Sequence, residues 1–485
     1  MAGARRTRYQ VTFAVLAVGI AAFGLLQSLV IPALTTLQHE LRASPSAGTW
    51  VLTAYLLSAS VATPVLGRAG DMLGKERIFV AALAALAAGS LLAAVAPSMG
   101  VMIAARVIQG IGGGTLPLAF GIIRDEFPPQ RVAAAVGTIA ALVSVGVGMG
   151  IVLAGPIMDV LGWRWLFWLP LILTLIAVVG GVLFIPKSPV RSPGRVSWLS
   201  AALLCGWLVA LLVALSEASG WGWGSPRVIG LLAAAAVLAL TWIAAELRAA
   251  TPLINMHMMR HRAIWTNNLV ALLIGIALYA TFAFLPEFVQ TPPAARYGFG
   301  ASILRSGLML LPMAVTMFVA GLLAGPLARR VGGKALVVAG CLAACLAMAI
   351  LAFAHAHQWE IYLSTAIMGT GFGLVFSAMA ALVIAAVPAD QTGAASGVNT
   401  NIRAIGGSIG SAVMASFVTA RLEPSGLPRE SGYTAGFAFL AVCLVIATLA
   451  GLLIPASRRR TTEAEPEFAG TLAETGKTAA GNQRE

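Results

Sequence analysis

The stretch from Gly67 to Ile78 reads GRAGDMLGKERI, and it sets Arg68, Asp71, Lys75, Glu76 and Arg77 between two long runs of Ala, Val and Leu. The turn belongs in water, whereas each flanking run has about 20 residues, the length of helix that crosses a bilayer. Composition agrees. Of 485 residues, 59% are apolar and 10% charged, with a mean hydropathy of +0.90; soluble domains carry about 25% charge. A water-soluble core is excluded, and the chain reads as a polytopic membrane protein.

Working outward from this turn, fourteen spans fall at roughly 11–32, 48–67, 77–96, 100–122, 132–157, 165–185, 197–216, 227–245, 265–288, 302–327, 335–354, 361–386, 394–418 and 434–454. All are expected to be helices, because lipid offers no partner for an unpaired backbone group. The first run follows Arg5, Arg6 and Arg8 but is too long for a signal peptide, so it is read as a retained span. Basic residues stay on the cytoplasmic side of short loops. With the N-terminus inside, 20 Lys and Arg fall in inner segments and 7 in outer ones. Both termini are therefore expected in the cytoplasm, and the net charge of +13 reads as topology rather than nucleic-acid binding. Trp50, Trp163, Trp165, Trp168, Trp221, Trp223 and Trp359 lie near the expected outer ends, where amphipathic rings favour the interface. More Arg than Lys and abundant Ala suggest a GC-rich bacterial genome, hence a bacterial plasma membrane.

An internal repeat divides the chain. Gly67 and Gly74 match Gly325 and Gly332 at an offset of 258; Gly110, Gly112 and Gly114 match Gly369, Gly371 and Gly373 at 259; Gly137, Gly146 and Gly150 match Gly397, Gly406 and Gly410 at 260. Three groups in the same order favour duplication over chance, and duplicated bundles are common in transporters. Spans 1–6 then equate with spans 9–14, and spans 7 and 8 are an insertion. The expected organisation is a cytoplasmic N-terminus (1–10), a six-helix bundle (11–186), a linker with two inserted helices at the periphery (187–263), a second six-helix bundle (264–456) and a polar, disordered tail (457–485). Symmetry is broken where Arg106 faces Thr365, and where Asp71 faces Arg329.

Three motifs carry a family resemblance. GRAGDMLGKER resembles the loop signature of the major facilitator superfamily, with Gly67, Asp71, Gly74 and Lys75 in register; Arg77 lies in the same loop. RVIQGIGGG, from Arg106 to Gly114, is similar to its fourth-helix motif. GMGIVLAGPIMDVLGWRWLF, from Gly148 to Phe167, resembles the fifth-helix antiporter motif and Trp-Arg-Trp turn of the fourteen-helix drug and proton antiporter branch. The resemblance implies an all-α membrane protein of two six-helix bundles plus two inserted helices. It also implies a secondary transporter, exporting drug-like or amphiphilic small molecules in exchange for protons by alternating access. Uptake or facilitated diffusion of a small solute on the same scaffold is the alternative.

The resemblance also assigns roles. The inner loop would latch the two halves; otherwise its charges serve only topology. Arg106, inside span 4 where a charge costs roughly 2.5–3.5 kcal/mol on insertion scales, would take part in proton coupling; the alternative is a structural Arg bonded to carbonyls. Gly146, Gly150, Ala154 and Gly155 have the small-xxx-small spacing of close helix packing, and the family places such a stripe between the halves. The chain departs from the branch at Ile151, where proline is usual, and at Leu26, where span 1 usually carries an aspartate. Gln27 and Ser28 are the only polar groups beside Leu26.

No acid falls near the middle of any span, so Glu287, near the outer end of span 9, is the candidate proton carrier. Asn399 and Arg403 share a helical face expected to line the central cavity with Gln27 and Gln109, although helix-to-helix hydrogen bonding would also account for that face. Two buried arginines without a central acid predict neutral or anionic amphiphilic substrates. An enzyme is not expected, since no nucleophile, base and ligand set gathers at one depth. His355 and His357 read as solvated loop residues, and Cys205, Cys341, Cys345 and Cys443 as apolar filler. No metal or cofactor is expected beyond a proton gradient. The partners expected are substrate, protons and lipid, around a monomer.

Overall fold

The computed structural model describes residues 2–43, 45–188, 197–249, 252, 254–295, 297–420, 423 and 427–455; most of the linker, and the tail read as disordered, lie outside them. Fourteen helices among the described residues are long and apolar enough to cross a membrane. The first six are α1 (Ala2–Leu29), α2 (Pro45–Leu73), α3 (Lys75–Ala94), α4 (Met99–Glu126, passing through a 3-10 turn at Ile111–Gly114), α5 (Pro129–Leu161) and α6 (Trp165–Phe184). Next come α7 (Trp198–Trp221) and α8 (Pro226–Arg248). The last six are α9 (Arg262–Gln290), α10 (Ile303–Val331), α11 (Gly333–Phe353), α12 (Gln358–Ala386), α13 (Thr392–Thr419) and α14 (Glu430–Leu452).

Local chemistry sets the ends of these helices. Ser98, Ser225 and Ser302 each accept a hydrogen bond from a backbone N–H of the turn they cap, the usual service of a serine at a helix start. The turns from α2 to α3 and from α10 to α11 pass through Gly74 and Gly332, at φ +111° and +87°. Only glycine adopts such values freely, so this repeated pair marks the same tight turn in both copies.

Each set of six forms one bundle, and the packing inside the first is repeated in the second. α1 lies against α5 and α6 as α9 lies against α13 and α14; α4 lies against α2 and α3 as α12 lies against α10 and α11. The bundles meet along two symmetry-related seams, α5 with α10 and α2 with α13.

At the first seam, small residues touch along most of the helix length. Gly148 faces Ala314, Gly321 faces Ala141, and Gly307 and Gly325 lie over the backbone of Val152 and Ala134. At the second, close approach is confined to the basic end, where a Cβ on Gly67 would stand 2.5 Å from the Gly393 carbonyl oxygen, and one on Gly397 would stand 3.1 Å from that of Thr63.

Three expectations need correction. Gly146 and Gly150 pack against Gly24, Leu25 and Ser28 of α1, Ala154 is buried in a cluster with Phe23 and Leu26, and nothing stands near Gly155. That stripe joins helices within one bundle rather than between bundles. The repeat explains it: Gly406 and Gly410 lie in the same way over Leu272 and Ile276 of α9.

The inserted pair is not uniformly peripheral either. α8 packs mainly on α7 and is only 17% buried, whereas α7 lies in the α2–α13 seam, with Leu204 and Leu208 against Val61, Val65 and Ile405. Finally, His355 is not solvated filler. Its Nε2 meets Glu430 Oε1 at 2.8 Å and its ring stands edge-on to Phe288 at 5.2 Å, tying the end of α11 to the start of α14.

Candidate functional site

A cavity of about 400 Å³ lies between the bundles, within the range of sites that enclose drug-sized ligands. α2 and α13 diverge away from their contact at Gly67 and Gly393, and both line the cavity beyond it, from Leu52 to Leu56 and from Asn399 to Ala415. α7 contributes Leu215 and Ser216. The walls are mainly apolar and aromatic, with Tyr55, Tyr279 and Phe376 among the rings.

Arg106 enters this cavity from α4 and has no exposed surface. Its Nε donates to the Val51 carbonyl at 3.1 Å and its Nη1 to Gln109 Oε1 at 2.8 Å, while the guanidinium lies over the Tyr55 ring at 4.2 Å. Nη2 has no hydrogen-bond partner among the described residues. Gln109 in turn donates to Ser90 Oγ on α3 at 3.3 Å. This shell fixes the plane of the guanidinium fork, which a lysine could not reproduce. Gln109, expected in the lining, instead stands behind it: three residues along the helix from Arg106, it turns toward α3 and holds the arginine.

The other expected lining residues are present. Gln27 lines the cavity from α1, and its Nε2 lies 3.5 Å from Tyr279 Oη on the opposite bundle. Asn399 lines it from α13 and also donates to Asn268 Oδ1 on α9 at 3.0 Å. Arg403, one turn on, stacks over Phe376 at 4.7 Å. Glu287 is not in the lining: it sits near the end of α9 beside Tyr433 of α14. Among the described residues, no carboxylate lines the cavity.

The basic end is held shut by polar contacts. Asp71, with no exposed surface, accepts hydrogen bonds from the backbone N–H groups of Gly393 at 3.2 Å and Ala394 at 3.0 Å. A carboxylate at a helix N-terminus satisfies donors that lack intrahelical partners and meets the positive end of the helix dipole. Lys75 is equally buried, 4.0 Å from Asp71, and donates to both carboxylate oxygens of Asp125 at 3.0 and 2.9 Å. Gly67 supplies the close backbone contact and Gly74 the turn. Arg77 takes no part in these inter-bundle contacts among the described residues: its side chain is 63% exposed and stands 3.9 Å from Glu76 of the same helix.

Arg124, one of the basic residues counted on the inner side, also joins the two bundles. It reaches from α4 across the seam to the carbonyls of Val387 at 2.8 Å and Pro388 at 3.2 Å, and to Thr392 Oγ1 at 2.7 Å. The repeat carried a signal for it, since at the offset of 259 Arg124 falls on Val383, a break in symmetry like that at Arg106.

Two bundles related by an internal repeat, with a central cavity sealed at one end by inter-bundle polar contacts, define a polytopic membrane transport protein. The comparisons agree. The sequence model of the Major Facilitator Superfamily matches residues 16–411, and the chain belongs to that family. It is 28% identical over 453 residues to the "Multidrug resistance protein B homolog" of Mycobacterium tuberculosis, with 84% of this chain and 82% of the relative covered. It is 26% identical over 415 residues to the "Tetracenomycin C resistance and export protein" of Streptomyces glaucescens, with 85% and 76% covered. Among solved structures, the proton:xylose symporter XylE shares the fold at a TM-score of 0.66 and 14% identity, with 93% of this chain and 97% of the symporter covered.

Proposed function

We propose that this transporter exports drug-like, amphiphilic small molecules by alternating access, driven by protons moving inward. The observation that carries this reading is the asymmetry of the cavity: aromatic walls suited to amphiphiles, and a basic end closed by a few separable hydrogen bonds, those that Asp71 accepts and those that Arg124 donates. Polar latches release at lower cost than a packed apolar core, which suits a seam that must open each cycle. The basic end is then the cytoplasmic one, and the bundles rock about the continuous small-residue contact of α5 with α10. Relatives named for multidrug resistance and antibiotic export support the direction and the substrate class.

Arg106 would couple substrate occupancy to protonation. Glu287 is the carboxylate proposed to carry the proton, acting from beside the cavity rather than within it.

The test is flux in sealed proteoliposomes carrying an imposed pH gradient, against a panel of fluorescent amphiphiles. Saturable accumulation that collapses with the gradient is expected; flux indifferent to the gradient would make the protein a facilitator. Glu287→Gln should abolish gradient-driven accumulation while sparing substrate exchange. Intact driven transport in that variant would remove Glu287 from the mechanism.

A further inference from the structure

We infer that the cavity selects organic anions, binding an aromatic carboxylate or sulfonate between Arg106 and Arg403; this deepens the exporter reading and rests on it. The argument is an inventory of donors and acceptors. Arg106 Nη2 and Tyr55 Oη are both buried at the cavity wall without a hydrogen-bond partner among the described residues. The Arg403 guanidinium makes no hydrogen bond or ion pair with a described residue; its partner is the face of Phe376. Guanidinium N–H groups only donate, so the partner missing from this site is an acceptor. Among the described residues that line the cavity none is an Asp or Glu, so no carboxylate of the lining pairs with these arginines.

The same inventory argues against a cation. A lipophilic cation is held best by a carboxylate, and the described lining has none; one face each of Tyr55 and Phe376 is already taken by Arg106 and Arg403, which leaves rings such as Tyr279 and Phe282 as its partners. It would also approach the two like charges of Arg106 and Arg403. An anion on an aromatic body meets both requirements, with its charge on the guanidinium groups and its rings on the apolar walls. A carboxylate or sulfonate also matches the planar fork better than a single acceptor does.

The experiment measures equilibrium binding of three tritiated probes to the full chain in phosphatidylcholine nanodiscs: naphthalene-2-sulfonate, 2-naphthamide and 2-naphthyltrimethylammonium. They share a ring system and differ in charge. The sulfonate is expected to bind about ten-fold more tightly than the ammonium probe, the scale of one well-placed charge contact. Arg403→Gln should bring the two affinities together, while Arg403→Lys should keep part of the preference. Both variants must remain monodisperse with an unchanged melting temperature; if Arg403→Gln fails this, Arg403→Lys and Arg106→Lys decide the matter by whether the preference falls.

Equal or tighter binding of the ammonium probe would overturn the inference, as would a preference insensitive to every arginine change. Displacement of the sulfonate on adding phosphatidylglycerol to the nanodiscs would assign the two charges to a lipid headgroup and also overturn it. Gradient-driven flux of the neutral probe, measured in parallel, separates the two readings. If flux persists without charge preference, only the inference falls; if no probe moves, the exporter reading falls with it.

Discussion

Asp71→Asn should loosen the basic end, and the size of the effect follows from two hydrogen bonds. Each oxygen of Asp71 accepts one backbone N–H at the start of α13, at 3.2 and 3.0 Å, with no exposure to water. Bonds to a buried charge contribute about 1.5–3 kcal/mol each. Asparagine keeps one acceptor, turns an NH2 toward the second N–H, and removes the charge from the helix N-terminus. A net loss of about 2–3 kcal/mol corresponds to a shift of about 30- to 140-fold in the equilibrium between closed and open basic ends. If the open form is about 1% of the parent protein, it becomes about a quarter or more of the variant.

The assay is electron–electron double resonance in nanodiscs, with nitroxides on Arg77→Cys and Ala386→Cys, both exposed at the basic end, and the four native cysteines replaced by alanine. A second, longer distance population should appear in Asp71→Asn. An unchanged distance distribution in a variant as abundant and monodisperse as the parent would refute the latch. Loss of membrane abundance instead would return the loop to a topogenic role.

Other consequences can be measured alongside it. Arg124→Ala removes three contacts across the same seam and should shift the same distance distribution in the same direction; combined with Asp71→Asn it should give less than the sum, because both act on the start of α13. Gly410→Val would drive a side chain into the Ile276 backbone and should lower the thermal midpoint measured by scanning fluorimetry, at a cost of about 1–3 kcal/mol or more. Gly155→Ala, with nothing nearby, should leave that midpoint unchanged. Ser216→Trp should fill part of the cavity and weaken naphthalene-2-sulfonate binding, whereas Leu199→Trp, facing outward on the same helix, should not.

Much of this arrangement is legible in the chain because cost marks position. A charge inside a span must be sheltered, which singled out Arg106 and Arg403, and a repeated glycine must serve the same approach twice, which related Gly146 and Gly150 to Gly406 and Gly410. What spacing cannot supply is the identity of the neighbour. α5 carries two small-residue faces, one through Gly146 and Gly150 and another through Gly137, Ala141 and Gly148, and only the assembled bundles show which meets α1 and which meets α10. Gln109 and Arg106 sit close enough along α4 to suggest a shared lining, yet the helix turns one toward α3 and the other toward the cavity. α7 left no trace of its position, because the seam it fills and the lipid behind it are both apolar. A hydropathy pattern does not distinguish them.

That helix has a mechanical consequence. α7 touches both halves of the protein, so it cannot keep both contacts if the halves rock as proposed. Trp223, in the loop after α7, donates from Nε1 to Ser416 Oγ of α13 at 2.8 Å, while the packing of α7 on α2 includes the apolar side chains of Val61 and Val65. On the proposed mechanism that hydrogen bond would bias the hairpin of α7 and α8 to travel with the second half. A shortened version lacking those two helices would leave the α2–α13 seam without the side chains of Leu204 and Leu208 that now pack on it.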